Sequence, residues 1–247
     1  MAKTLVIKER EDIDKLLETE EYTSALVSRN TLMCLLSEKD HYYEYLTDAI
    51  SDIIEFRNFE SGMHTRRVKN LTRAIGNAYM KLYPQAHLNK TKVDMIARAS
   101  TLHDIGKLVI PDKILLKPGK LTEKERMVMM GHTTKGCEIL NLLRWNQSEE
   151  QLKIAYDICR HHHERHDGKG YPDCLRGEEI PLAARIVSIV DVYDALVTDR
   201  VYKKAYDKQT AYDMIMNGEC GVFAPEVLNS FRYCIKLLEL ISESYSA

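Results

Sequence analysis

Apolar residues along this chain recur at three- and four-residue intervals, and no segment shows the period-two alternation of a half-buried strand. Leu46, Ile50, Ile53 and Ile54 mark one amphipathic face; Val68, Leu71, Ile75, Tyr79 and Leu82 mark another. Thr122 with Glu125, and Ser148 with Gln151, have the spacing at which side chain and backbone satisfy each other's donors in a first helical turn. Those two helices are expected to run to about Leu143 and His162, and further helices are predicted near 89–103, 182–199, 208–217 and 225–243. Pro225 suits a first turn, where its missing N–H costs nothing. The pattern predicts an all-α fold interrupted by two long irregular segments, 105–121 and 163–181. Long loops in a compact helical domain are usually functional.

At 247 residues with an apolar fraction of 45%, the chain can build one substantial core. Acidic side chains outnumber basic ones over residues 1–58, and the histidine-rich character comes later. The expected division is therefore an N-terminal helical segment, 1–55, serving as linker, relay or dimerisation element, and a main domain over 56–247. A net charge of −2 gives no basic field, so duplex nucleic acid is not the expected partner. The six cysteines are scattered without a Cys-x-x-Cys pair and read as free thiols of a reducing cytosol. With no signal-peptide core at the N-terminus and no apolar run of roughly 20 residues, a soluble cytoplasmic protein is expected.

Candidate chemistry concentrates in residues 161–172, His-His-His-Glu-Arg-His-Asp-Gly-Lys-Gly-Tyr-Pro. A stretch so rich in ligand atoms is either a solvated loop or a metal site. His103 and Asp104 close an apolar helix and offer nitrogen and carboxylate oxygen to one point, the mixed set that suits iron, manganese or zinc. Gly106 brings the backbone round, and Lys107 adds a cation suited to a phosphate. Glu60 and His64 stand four apart on a predicted helix, and His132 sits near the middle of the helix starting at Thr122. Asp191 interrupts a run that is apolar around most of its circumference, so it needs a cation such as Arg185 or a metal. Each pair alone is ordinary; their succession is not.

Taken in order, Glu60-x-x-x-His64, His103-Asp104-x-Gly106-Lys107, His132, His162-His163-Glu164-x-x-Asp167-Gly168-x-Gly170-Tyr171-Pro172 and Asp191 resemble the HD-GYP subgroup of the HD phosphohydrolase superfamily. The likeness covers Phe59 to Phe231 and includes Ile110-Pro111-Asp112 and Asp191-Val192-Tyr193-Asp194. It implies an HD-domain helical bundle with an N-terminal helical extension, hydrolysing cyclic di-GMP to pGpG and/or GMP with two or three divalent metal ions, iron or manganese. His64, His103, Asp104, His132, His162, His163 and Asp191 match the family's metal ligands, and Glu60 matches the carboxylate that accompanies a third metal. Asp104 and Lys107 are the implied catalytic groups; Lys107, Tyr171, Arg200 and Lys203 are the implied substrate contacts. The Gly-Tyr-Pro loop is expected to present Tyr171 outward and to serve as a surface for a signalling partner, and a homodimer is expected. His161 and His166 fall outside the pattern. One departure is Val222-Phe223-Ala224-Pro225, where many relatives carry Phe-Asp-Pro, which puts loop anchoring in question. Two alternatives stay open: a non-catalytic receptor for the dinucleotide, and a phosphohydrolase acting on another nucleotide or cyclic dinucleotide.

The chemistry of the substrate agrees with the ligand set. A phosphodiester is anionic and resists water, and clustered divalent metals both neutralise its oxygens and lower the pKa of water toward ~7.

Overall fold

The computed structural model describes residues 45, 47–57, 63–142, 149–199 and 204–245. Among them the fold is all-α, with a single isolated bridge between Asp167 and Arg176 and no strand. The helices are α1 (47–57), α2 (His64–Leu82), α3 (Lys90–Ala99), α4 (Asp112–Leu115), α5 (Glu123–Met130), α6 (His132–Leu142), α7 (Glu149–His161), α8 (Leu182–Val197), α9 (Lys208–Met216) and α10 (Pro225–Glu243). No helix among the described residues is long and apolar enough to cross a membrane.

The starts of these helices follow their sequence. Thr122 and Glu125 form the expected capping box, with the Thr122 amide donating to the Glu125 carboxylate at 2.7 Å. Asn89 and Asp207 accept from the third amide of α3 and α9, and Pro225 opens α10. The Ser148–Gln151 box falls partly outside the described residues.

Two apolar clusters hold the bundle. One joins the α2 face (Val68, Leu71, Ile75) to Ile186, Ile189 and Tyr193 of α8 and to Val227 and Phe231 of α10. The other joins Ile54 of α1, Ile96 of α3, Leu102 and Ile105 to Leu140, Ile158 and Val187. Helix α8 contributes to both, so it forms the central wall. Ile53 and Leu82, read as apolar-face positions, are exposed instead; each sits at the edge of its stripe.

Two expected helices are shorter than their periodicity. The segment 89–103 is α-helical only to Ala99 and then tightens into a 3-10 turn, Ser100–Leu102. The segment 122–143 is split at Gly131, whose amide closes α5 on Met127 and Val128 while its carbonyl accepts from Lys135 to start α6. His132 is therefore the first residue of a helix and not mid-helix. Both departures bring a ligand-type side chain to the seam between helices.

Candidate metal centre

Five elements converge on one interior point. His64 opens α2, His103 and Asp104 follow the turn after α3, His132 opens α6, His162 and His163 follow α7, and Asp191 lies on α8. Gly106 makes the convergence possible: a Cβ there would fall 1.8 Å from the His132 carbonyl oxygen. Any side chain at 106 would push the His103-Asp104 turn off α6.

The ligand atoms form two groups, each with all its members within 4.8 Å of one another: Asp104, His132, His162 and His163; and His64, His103 and Asp191. Asp104 stands between them. Its Oδ1 lies 3.3 Å from His132 Nε2 and 3.9 Å from His162 Nε2, while its Oδ2 lies 3.3 Å from His103 Nε2 and 2.6 Å from Lys107 Nζ. Among the described residues, Asp191 meets His103 Nε2 at 3.8 Å and does not pair with Arg185.

The histidines are oriented from behind. His103 Nδ1 donates to the Ser100 carbonyl at 2.8 Å, His132 Nδ1 to that of Met129 at 2.7 Å, and His162 Nδ1 to those of Ile158 and Cys159 at 3.1 Å. A carbonyl only accepts, so each Nδ1 carries a proton and each ring turns its Nε2 inward; in the neutral rings of His132 and His162 that Nε2 presents a lone pair. His132 Nε2 and His162 Nε2 consequently face each other at 3.5 Å. Two lone pairs at that distance require a cation or a shared proton. His103 Nε2 and Asp104 Oδ1 are buried without a hydrogen-bond partner among the described residues. Such atoms are costly when left bare. The donor set, open toward the half-buried His163 and Asp191, fits divalent metal ions.

Charge within the centre is consistent with that fit. Burial, reinforced by neighbouring imidazoles, holds His162 and His163 well below the ordinary histidine range, and burial also lowers His132. These three rings are neutral at pH 7, the form in which an imidazole can bind a metal. Burial opposes ionisation of Asp104, yet Lys107 and His103 hold its carboxyl well below the usual range. Burial likewise opposes a charge on His103, but Asp104 and Asp191 outweigh it and raise its pKa to about 9. Without metal, His103 therefore carries a proton in the place a metal would take.

Three residues of the site carried no role in the sequence reading. Asp194, 1% exposed, accepts from His64 Nδ1 at 2.7 Å and from Arg67 Nε at 2.6 Å. It orients His64 as the carbonyls orient the other rings. Glu164 accepts from the amides of Asp173 at 2.7 Å and Leu175 at 3.1 Å, fastening the Gly-Tyr-Pro loop. Arg165 donates to Ser188 Oγ at 2.7 Å and to the Glu164 carbonyl, and its guanidinium lies over the Phe223 ring. Asp194, one turn after Asp191 on the same largely apolar helix, is likewise a carboxylate that needs a cation, a signal the sequence carries.

In the loop, a Cβ on Gly170 would fall 2.3 Å from Glu164 Cα, so the second glycine permits the chain to fold back on the His-His-Glu segment. Tyr171, expected to point outward, instead stacks on His163 with centroids 4.7 Å apart and an interplanar angle of 26°. Ring stacking buries area that solvent exposure would leave wet. Anchoring does not need the Asp absent from Val222-Phe223-Ala224-Pro225: the His166 amide donates to the Val222 carbonyl at 2.8 Å, and Phe223 is buried beneath Arg165. His161 pairs with Asp173 at 3.0 Å, away from the centre. Glu60, Arg200 and Lys203 lie outside the described residues.

An HD-domain family profile matches residues 48–226. A cyclic di-GMP phosphodiesterase of Vibrio cholerae is 39% identical over 186 residues, 74% of this chain and 38% of that protein. A 3'3'-cGAMP-specific phosphodiesterase of the same organism is 35% identical over 232 residues, 94% of this chain and 40% of that protein. The chain is an HD-GYP member of the HD domain family. The HD pair is His103-Asp104, at the seam where α3 gives way to the turn against α6, and the GYP element is the Gly170-Tyr171-Pro172 loop stacked on His163. Its fold is that of solved HD-GYP relatives: a cyclic GMP-AMP specific phosphodiesterase of V. cholerae superposes with a TM-score of 0.56 at 18% identity, covering 81% of this chain and 50% of that one. This HD-GYP chain spans about two fifths of the length of the curated relatives named here.

Proposed function

We propose that this HD-GYP chain is a metal-dependent phosphodiesterase that hydrolyses cyclic di-GMP to pGpG and/or GMP. The observation that carries the reading is the pair of inward Nε2 lone pairs on His132 and His162, 3.5 Å apart with both Nδ1 atoms pinned, beside an Asp104 carboxylate shared between two ligand groups. Such a constellation fits bound cations and a ligand rich in anionic oxygen. Asp104, His132, His162 and His163 would hold one divalent ion, and His64, His103 and Asp191 a second. Glu60 would add a ligand for a third, and iron or manganese suits this nitrogen and carboxylate set.

When bound, the metals supply charge neutralisation at the phosphoryl oxygens and water of lowered pKa. The chain's own residues do the rest. Lys107, whose Nζ lies 2.6 Å from Asp104 Oδ2, is placed to meet a phosphoryl oxygen or the departing oxygen as a compact cation. Tyr171, stacked on His163, lends the rim an aromatic face for a guanine base. Arg200 and Lys203 are proposed as contacts to the second phosphate. The protein would act in the cytoplasm, with the Gly-Tyr-Pro loop and a homodimer as its means of contact with other chains.

A second cyclic dinucleotide has a specific observation in its favour, since the 3'3'-cGAMP-specific relative aligns over 94% of this chain. The test is hydrolysis of cyclic di-GMP and 3'3'-cGAMP side by side by the metal-loaded protein. Cyclic di-GMP consumed at least about tenfold faster supports the proposal. A reversed preference assigns the activity to 3'3'-cGAMP, and metal binding with tight retention of intact dinucleotide makes the chain a receptor.

A further inference from the structure

Helix α1 touches the backbone beside three of the functional positions, and its Arg57 makes the densest contact. Arg57 Nη1 donates to the carbonyls of Lys107 at 2.8 Å and Leu108 at 2.5 Å, and Nη2 donates to the Ile110 carbonyl at 2.6 Å. Nε and Nη2 also reach Asp112 Oδ1 at 3.2 and 2.7 Å. One guanidinium thus gathers four acceptors from residues 107–112, where the 3-10 turn Ile105–Val109 ends. The Lys107 carbonyl also accepts from the Ile110 amide at 3.2 Å, and at the end of such a turn a cation adds a partner for the carbonyl lone pairs and answers their dipoles.

The rest of α1 is tied down near the metal ligands. Ser51 Oγ donates to the Thr101 carbonyl at 2.9 Å, two residues before His103, and the buried Glu55 carboxylate accepts from the Thr65 amide, next to His64. Ile54 inserts into the apolar cluster that supports the His103 turn. Arg57 is therefore held from one side by the same frame that holds the ligands, and on the other it fixes the turn from which Lys107 reaches Asp104.

Given the phosphodiesterase reading, we propose that Arg57 is a positioning residue that sets Lys107 against the metal centre through the backbone of residues 107–110. Among the described residues, all the guanidinium contacts of Arg57 go to backbone carbonyls of 107–110 and to Asp112, so it acts through Lys107. A lysine could supply the charge but not the fixed fork that spans three carbonyls. Displacement of a catalytic cation by about 1 Å costs up to roughly a hundredfold in rate.

The experiment uses the full chain, loaded with Mn(II), in a double-mutant cycle. Arg57→Gln is expected to lower kcat on cyclic di-GMP about tenfold or more with metal stoichiometry unchanged, and Arg57→Lys to lower it less. In a Lys107→Ala background, either substitution should change kcat less than about twofold, because the residue it positions is gone. An unchanged kcat in Arg57→Gln, or the same loss in both backgrounds, overturns the proposal. Arg57→Lys carries the cycle if Arg57→Gln does not fold. Amide hydrogen exchange gives a readout independent of turnover: amides 105–110 should exchange about tenfold faster in the variant. Should the wild-type chain hydrolyse no cyclic dinucleotide, the functional reading fails and exchange alone decides, with unchanged protection at 105–110 overturning the role of Arg57.

Discussion

Replacing Asp194 isolates a group that orients His64, a proposed ligand, through the Nδ1 side of its ring. Its carboxylate accepts from His64 Nδ1 at 2.7 Å, Arg67 Nε at 2.6 Å and Arg67 Nη2 at 3.1 Å, with Asp194, His64 and Arg67 all buried. Asp194→Ala leaves a buried guanidinium and an imidazole N–H without an acceptor, and removing one partner of a buried pair costs about 3–5 kcal/mol. Asp194→Asn keeps the shape and one acceptor oxygen, so its cost is about 1–3 kcal/mol. Burial opposes ionisation here, but His64 and Arg67 depress the carboxyl to about 2. That depression makes its stabilisation complete above the unfolded value near 3.8 and lost as pH falls through about 2. At pH 7 the whole effect is on display. Because Asp194 fixes the tautomer that aims His64 Nε2 inward, Asp194→Asn should weaken metal at the His64, His103 and Asp191 group by 10–100-fold, about 1.4–2.7 kcal/mol, and spare the other group. Urea unfolding of the chelated protein reads the first effect and metal titration the second. An Asp194→Asn protein that unfolds within about 0.5 kcal/mol of wild type and binds both metals with unchanged affinity would refute the positioning argument.

Three other outcomes are expected. His103→Ala with Asp104→Ala is expected to abolish metal loading and hydrolysis together, because the Asp104 oxygens face His132 in one group and His103 in the other and would serve both, whereas Lys107→Ala retains metal and loses rate; metal analysis beside a rate assay separates them. Glu60→Ala lowers metal stoichiometry by about one and leaves the other ions in place, and an unchanged stoichiometry rejects a third metal. The metal-free protein loses stability as pH rises from the unfolded histidine value near 6.5 through about 9, by on the order of 3 kcal/mol, because His103 has a raised pKa when folded. His162 and His163 have lowered values, so they remove stability in the opposite direction as pH falls below about 6.5. Thermal melts of chelated protein between pH 5 and 9.5 should therefore peak near the middle of that range, and a melting temperature that climbs steadily to pH 9.5 contradicts the charge on His103.

The all-α architecture was legible because amphipathic faces such as Val68, Leu71 and Ile75 repeat at helical spacing and end up fully buried. Caps were legible at Thr122 for the same local reason. The division at Gly131 was not, since glycine in mid-helix carries no fixed meaning and the split is decided by where His132 must meet Asp104. Among candidate ligands, each residue was visible only as part of the motif succession; the grouping into two clusters bridged by Asp104 depends on helix packing that no spacing encodes. Asp194 and Arg165 lay hidden because their partners, Arg67 and Ser188, stand 127 and 23 residues away. Tyr171 was misread because turn chemistry describes the backbone of a Gly-x-Gly-Tyr-Pro loop but not the neighbour, His163, on which the ring settles.

The most direct test of the central claim is anaerobic incubation of the purified, metal-analysed chain with cyclic di-GMP and Fe(II) or Mn(II), with products separated by chromatography. Linear pGpG or GMP formed only when metal is present is the predicted result. Intact cyclic di-GMP after prolonged incubation with the fully loaded protein would contradict it.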